Sequence, residues 1–315
     1  VVGGRQIGKS SFLKAIQRRA ESRGRLDCRY VSVGETPILP ALADCVGLPA
    51  DSDLATVTAG LRQMPDGRPR LILIDEADLF VAAEPANGYR TLHALRNLTE
   101  EGRCYFVLAG FWRLLELVSL DYQSPIKNFG ETLRIMELEP EAARELASRP
   151  MAALGVRYAD PASVGRIVER TGGRANLIAI ACNRMLRQLG PTRREITPDM
   201  VEEALLADDI ADALGGWKEL VGDERAARLD RIAVYAMVDR ERFDRAGLMA
   251  RLAELGVVPL PEEIEATLRR LDLAFVLGRE SGDFRFRVLL FQDLVRDEVV
   301  YLDREVEAWR RRARA

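Results

Sequence analysis

Lys9 and Ser10 close the string Gly3-Gly4-Arg5-Gln6-Ile7-Gly8-Lys9-Ser10. A lysine and a hydroxyl behind glycines at this spacing are the parts of a phosphate-binding loop. Glycine lets the backbone turn back so that successive N–H groups point inward at anionic oxygens. The Lys9 ammonium suits β- and γ-phosphates, and the Ser10 hydroxyl suits a Mg²⁺ ion. A helix opening at Gly8 adds uncapped amides and the positive end of its dipole. The binding set is therefore Gly3, Gly4, Arg5, Gln6, Ile7, Gly8, Lys9, Ser10 and Ser11. The competing reading is a glycine-rich turn that binds nothing.

A second set lies downstream. Leu71, Ile72, Leu73 and Ile74 run directly into Asp75 and Glu76. Four apolar residues in a row suit a strand buried on both faces, as in a parallel sheet. Its carboxyl end would deliver two acids to the edge where open α/β sheets bind ligands. In this Walker B arrangement Asp75 holds Mg²⁺ through water and Glu76 polarises the attacking water as general base. A solvated turn carrying two acids is the alternative, and the loop upstream weighs against it.

The elements that must position these groups follow from periodicity. Helical spacing covers residues 11–23, 37–47, 54–64 and 89–101, and short β-branched or apolar runs at 28–33, 71–74 and 104–109 read as strands. Residues 133–138 alternate, which suits a last strand of the sheet. From Pro140 the texture becomes helical, with helices at 140–152, 161–171 and 175–189, and Thr197-Pro198 opens another to about Ala207. Gly215-Gly216 reads as a linker. Three helices at 225–238, 245–255 and 261–272 precede a hairpin signal at Ser281-Gly282-Asp283, the makings of a winged helix-turn-helix, and a final helix spans 290–312. The loop begins only two residues into the sequence, whereas such loops hang from a complete buried strand. The start of that strand is therefore expected to lie outside the sequence.

Composition narrows the class. The chain has 315 residues, 48% hydrophobic and 30% charged, with a formal net charge of −3. It is long enough for two or three domains. No stretch has the apolar length of a membrane span, and none reads as a signal peptide. Cys28, Cys45, Cys104 and Cys182 lack C-x-x-C spacing and His93 is the single histidine, which leaves neither a zinc site nor a disulfide framework and suggests a reducing cytoplasm. His93 reads as a helix-surface residue.

The strings GGRQIGKSS, LILIDEAD, FVLAGFWRL, SPIKNFGE and TGGRANLI together resemble the STAND ATPases, AAA+-related signalling NTPases close to the origin-recognition and archaeal ATPases. The resemblance implies an α/β P-loop NTPase core, a parallel sheet flanked by helices, over residues 1–138. It implies a helical lid at 139–214, a C-terminal winged helix at 215–302 and a basic helical tail at 303–315. It also implies an ATP/ADP switch that self-associates and activates a fused or partner effector or sensor. Lys9, Ser10, Asp75 and Glu76 match the family's phosphate, Mg²⁺ and water-activating residues. Arg174, after Gly172-Gly173, matches a lid residue that senses the γ-phosphate; a surface arginine beside a glycine break is the alternative.

Two departures point to slow turnover. Related enzymes place a polar residue after the strand that here ends in Ala109-Gly110-Phe111. Asn128 stands where archaeal relatives tend to have an arginine, and Arg113, Lys127 and Arg134 are unconvincing substitutes. The helix at 261–272 would be the one to enter a DNA groove. It carries Glu262, Glu263, Glu265 and Asp272 against Arg269 and Arg270, a net charge of −2 with the acids leading. Nucleic acid is thus a disfavoured partner. The hairpin and the residues 303–315 are mildly basic, and a solvated face accounts for them. The alternative function is an AAA+ regulator of DNA transposition or replication initiation; a third is a nucleotide-clamped scaffold without turnover.

Overall fold

Leu71, Ile72, Leu73 and Ile74 become the buried centre of a sheet. In the computed structural model every residue of strand β2 (Arg70–Asp75) is buried, with β1 (Asp27–Ser32) and β3 (Cys104–Leu108) paired parallel on either side. The structure describes all residues except Glu35, Asn128, Phe129, Pro191, Thr192, Arg314 and Ala315, and does not describe the side chains of Arg312 and Ala313. The chain forms two units, Val1–Ile135 and Met136–Ala315.

In the first unit, helix α1 (Lys9–Arg23) lays Leu13 and Ala20 against Cys28, Leu71, Leu73 and Ala109. It stops at Gly24, whose left-handed backbone (φ 62°) returns its N–H to the carbonyls of Ala20 and Glu21. Helices α2 (Ile38–Cys45) and α3 (Leu54–Arg62) connect β1 to β2. Between β2 and β3 come α4 (Asp78–Ala83) and α5 (Arg90–Glu100), followed after β3 by the short α6 (Trp112–Leu115). Helix α4 was not expected from the sequence, since its six residues are too few to show a period.

Val2 extends the sheet. It bridges Gly110 on one side and Arg134 on the other, both parallel; its N–H donates to Leu133 O at 2.8 Å and its carbonyl accepts from Ile135 N–H at 2.9 Å. The strand expected at 133–138 is therefore corrected to a short pairing of Leu133 and Ile135 about one residue. Its remainder, Met136 to Leu138, belongs to the second unit, where Leu138 N–H bonds Gly173 O at 3.1 Å. A cavity of about 500 Å³ lies beside β3, lined by Leu95, Tyr105, Phe106, Leu108 and Leu133 among others, and none of the loop residues Gly3 to Ser11 line it.

The second unit begins with α7 (Pro140–Ala153), α8 (Ala162–Thr171), α9 (Ala175–Leu189) and α10 (Pro198–Leu205). The strands β4 (Arg157–Tyr158) and β5 (Glu195–Ile196) pair parallel. Thr197 caps α10 by accepting from Met200 N–H at 3.4 Å. The linker expected at Gly215-Gly216 does not exist. Helix α11 (Asp208–Gly215) runs on through a 3-10 turn over Gly216–Glu219, because Trp217 is drawn into the core, 3% exposed, with edge contacts to Tyr235 and Phe291 at 5.4 and 5.5 Å. Burying an indole outweighs the turn preference of two glycines.

Helices α12 (Glu224–Met237), α13 (Arg245–Glu254) and α14 (Pro261–Leu273) follow, then the antiparallel hairpin β6 (Leu277–Glu280) and β7 (Asp283–Phe286). Ser281 and Gly282 turn it with positive φ of 51° and 104°, the geometry that two-residue hairpins favour. The expected last helix is broken into α15 (Leu289–Glu298), a 3-10 turn at Val299–Tyr301, and α16 (Leu302–Ala313). Leu302, Val306 and Trp309 of α16 are buried, and Arg228 and Arg231 of α12 pair with its Glu305. Among the described residues no helix is long and apolar enough to cross a membrane.

Gly172 and Gly173 have a packing role within this unit. Both hold positive φ (60° and 69°), and a Cβ on Gly172 would run into the carbonyl of Arg287. A Gly172→Ala variant is expected to lose at least about 2 kcal/mol, from left-handed strain plus overpacking. Urea unfolding measures it.

Candidate functional site

Parallel pairing brings the strand ends of the first unit to one edge. The register sets Ser32 beside Asp75, and Val2 beside Gly110 brings the loop that follows it to the same edge. The loop buries Gly3, Gly4 and Ile7 and leaves Arg5 and Gln6 exposed. Gly3 passes so near the Ile135 carbonyl that a Cβ would lie 2.9 Å from it. Gln6 (φ 58°) and Gly8 (φ 107°, ψ 13°) take the left-handed turns that fold the backbone over. Gly8 then serves as N-cap of α1 with no side chain to offer, so the first amides of a 15-residue helix are left to another acceptor.

Lys9 turns back over the loop. Its Nζ donates to Gly3 O at 2.9 Å and Gly4 O at 2.6 Å. Burial lowers its pKa from 10.5, against the opposing pull of Asp78, Asp75 and Glu76. A half-buried cation beside uncapped amides is a place for an anion. Ser10 and Ser11 are exposed.

The two acids sit differently. Asp75 is 3% exposed, its Oδ1 accepting from Glu76 N–H at 3.0 Å and its Oδ2 from the Tyr30 hydroxyl at 2.7 Å. Glu76 is exposed and holds φ at 56°, unusual for a side-chain-bearing residue. Its carboxylate accepts from Ser32 Oγ at 3.2 Å and lies against Gly34, where a Cβ would displace it. Among the described residues no cluster of three or more His, Cys, Asp or Glu could hold a metal. A magnesium ion here would depend on Ser10, Asp75 and the phosphates. Hard oxygen donors, few in number, suit that ion.

Three residues at this edge were not singled out from the sequence. Tyr30 and Ser32 reach the acids from the neighbouring strand. Asp78 caps the turn after β3, accepting from Phe111 N–H at 2.5 Å and Leu114 N–H at 3.2 Å. Only the position of Tyr30 and Ser32 near a strand end could have flagged them, since the cross-strand register is not written in one segment. Arg174 lies in the second unit, at the N-cap of the 15-residue α9. It is 9% exposed, and burial pushes its guanidinium down to about 10, so it is no surface arginine. Asn128 lies outside the described residues. Arg113 pairs with Glu116 at 2.9 Å, and the Lys127 ammonium lies 2.8 Å from the Tyr122 ring centre.

No protein-family model matches the chain, and no curated protein matches it in sequence. Among solved structures, a Walker-type ATPase of Pyrococcus abyssi is similar over 93% of this chain and 89% of that one, with 16% identity and a TM-score of 0.67. The ORC1 protein of Aeropyrum pernix, solved in complex with DNA, is 16% identical over 94% and 85% of the two chains, with a TM-score of 0.48. Cdc6p of Pyrobaculum aerophilum is 14% identical over 95% and 87%, at 0.42. The likeness to the Pyrococcus protein is one of fold: an α/β P-loop core with a parallel sheet and flanking helices.

Proposed function

We propose that the chain is an ATP-binding, slowly hydrolysing switch of the STAND type within the AAA+ ATPases. In this reading its nucleotide state governs self-association and the activation of a fused or partner effector or sensor in signalling or defence. The observation that carries it is the meeting of Lys9, Ser10, Asp75 and Glu76 at one sheet edge, beside the uncapped start of α1. Lys9 binds the β- and γ-phosphates, and the amides of Gly8 to Ser11 take the remaining oxygens. Ser10 and Asp75 would hold Mg²⁺, which supplies neutralisation of phosphate charge. Glu76 orients and deprotonates water. Residues 1–135 are the core, and the second unit comprises a helical lid in which Arg174 senses the γ-phosphate, a winged helix and a basic helical end. The reading places the chain in the cytoplasm.

Slow turnover is supported by Ala109-Gly110-Phe111, where no side chain polar enough to orient water is present and the carboxylate that meets it, Asp78, is spent on capping. Nucleic acid remains disfavoured. In α14 Glu263 bonds Arg225 at 2.7 Å and caps Leu260 N–H, Arg269 pairs with Glu265, and Arg270 is buried. Of the hairpin arginines, Arg287 turns inward to Leu277 O and Glu137.

The test is to denature the purified chain and identify released nucleotide by chromatography. ADP near one per chain supports a closed resting switch. Absence of nucleotide together with no ATP binding overturns the reading, and assembly only with ATP and DNA favours the DNA-directed regulator. In the Glu76→Gln variant, phosphate release is expected to fall about 10²–10⁴-fold with ATP binding retained. If the parent chain already releases no phosphate, it is the scaffold without turnover.

A further inference from the structure

The side chain of Tyr30 is unusual in what it joins. It stands on β1 beside Leu73, two residues before Ser32, which the register sets beside Asp75. Two strand residues span about 6.6 Å, which is within a tyrosine's length, so the phenol runs along the sheet and ends at the buried Asp75. There its hydroxyl donates to Oδ2 at 2.7 Å. The Lys14 ammonium lies 5.9 Å from the ring centre. Tyr30 thus ties β1 to the acid at the end of β2.

Ser10 and Asp75 are the two groups assigned to Mg²⁺ above, and the inference rests on that assignment. A carboxylate has about four lone-pair sites. Glu76 N–H occupies one on Oδ1 and Tyr30 one on Oδ2, leaving one on each oxygen for a metal-bound water. Carboxylate torsions are soft, so a single backbone bond to Oδ1 leaves the plane of the group loosely set. The second bond fixes it.

We propose that Tyr30 is a positioning residue for the magnesium site, orienting the Asp75 carboxylate. Its effect passes through the Asp75 carboxylate. Outer groups of this kind are worth about 10–100-fold in metal affinity.

The experiment is a Mg²⁺ titration of the full chain and its Tyr30→Phe variant, read by the fluorescence of an ADP analogue. Phenylalanine keeps the ring against β1 and removes only the hydroxyl; matching thermal midpoints establish that the fold is intact. The variant is expected to need about tenfold more Mg²⁺ for half-saturation, with its affinity in EDTA within twofold of the parent. An unchanged or lowered Mg²⁺ requirement overturns the proposal, the lowered value meaning that the phenol competes with the ion. A loss confined to EDTA affinity also overturns it, since Tyr30 would then serve the loop and not the metal. A parent that binds the analogue but ignores Mg²⁺ removes the metal assignment. A parent that binds nothing removes the nucleotide reading itself.

Discussion

ATP affinity is expected to fall at least about 100-fold in a Lys9→Ala variant, an effect of roughly 2.7 kcal/mol, measurable by calorimetry. Lys9 is the cation at the loop, and its structural share there is the pair of bonds to the Gly3 and Gly4 carbonyls. Gly3, Gly4 and Ile7 are buried and Gly8 sets the left-handed entry to α1 whatever stands at position 9. Alanine is also a good first-turn residue, so the helix start survives. The loss should therefore appear more in binding than in the unfolding midpoint. Burial lowers the pKa of Lys9 from 10.5. Its charge, and ATP affinity with it, should thus begin to fall at a lower pH than that value. An alanine variant that binds ATP as tightly as the parent would remove Lys9 from the site.

The largest expected loss of stability lies elsewhere. Asp230 of α12 and Arg270 of α14 form a bidentate pair at 2.8 and 2.9 Å, with side chains 1% and 4% exposed, and Thr267 Oγ1 lies 3.1 Å from the same guanidinium. Removing one member leaves the other charged in a dry interior. Asp230→Ala is expected to cost about 3–5 kcal/mol, seen as a lower urea midpoint. The double change Asp230→Leu with Arg270→Met should recover most of it, because the penalty comes from the orphaned charge more than from a lost attraction. A single variant as stable as the parent would mean water reaches Arg270.

The buried pair also shows what a linear reading misses. Arg270 counts as one of two positive charges on a helix that could face DNA, and nothing in its own segment says that Asp230, forty residues away, takes it inside. The phosphate loop and the run from Leu71 to Glu76 are legible because their chemistry is written in consecutive residues, and a strand buried on both faces must be continuously apolar. Tyr30, Ser32 and Asp78 are not, since their roles arise from register and from a turn 33 residues further on. Gly215-Gly216 misleads for the reverse reason: local preference speaks for a break, and Trp217 overrules it by burial. The core architecture could be read; the wiring between its strands could not.

The packing of the T-G-G turn has a mechanical consequence. Gly172 is pressed to the Arg287 carbonyl, Gly173 is bonded to Leu138, Arg170 grips Asp293 at 2.7 Å, and Arg287 ties Glu137 to Asp272 and Leu277. A rotation of α9 about its buried N-terminal arginine would press through Gly172 on the Arg287 carbonyl at the foot of the hairpin, as a lever passes on a displacement.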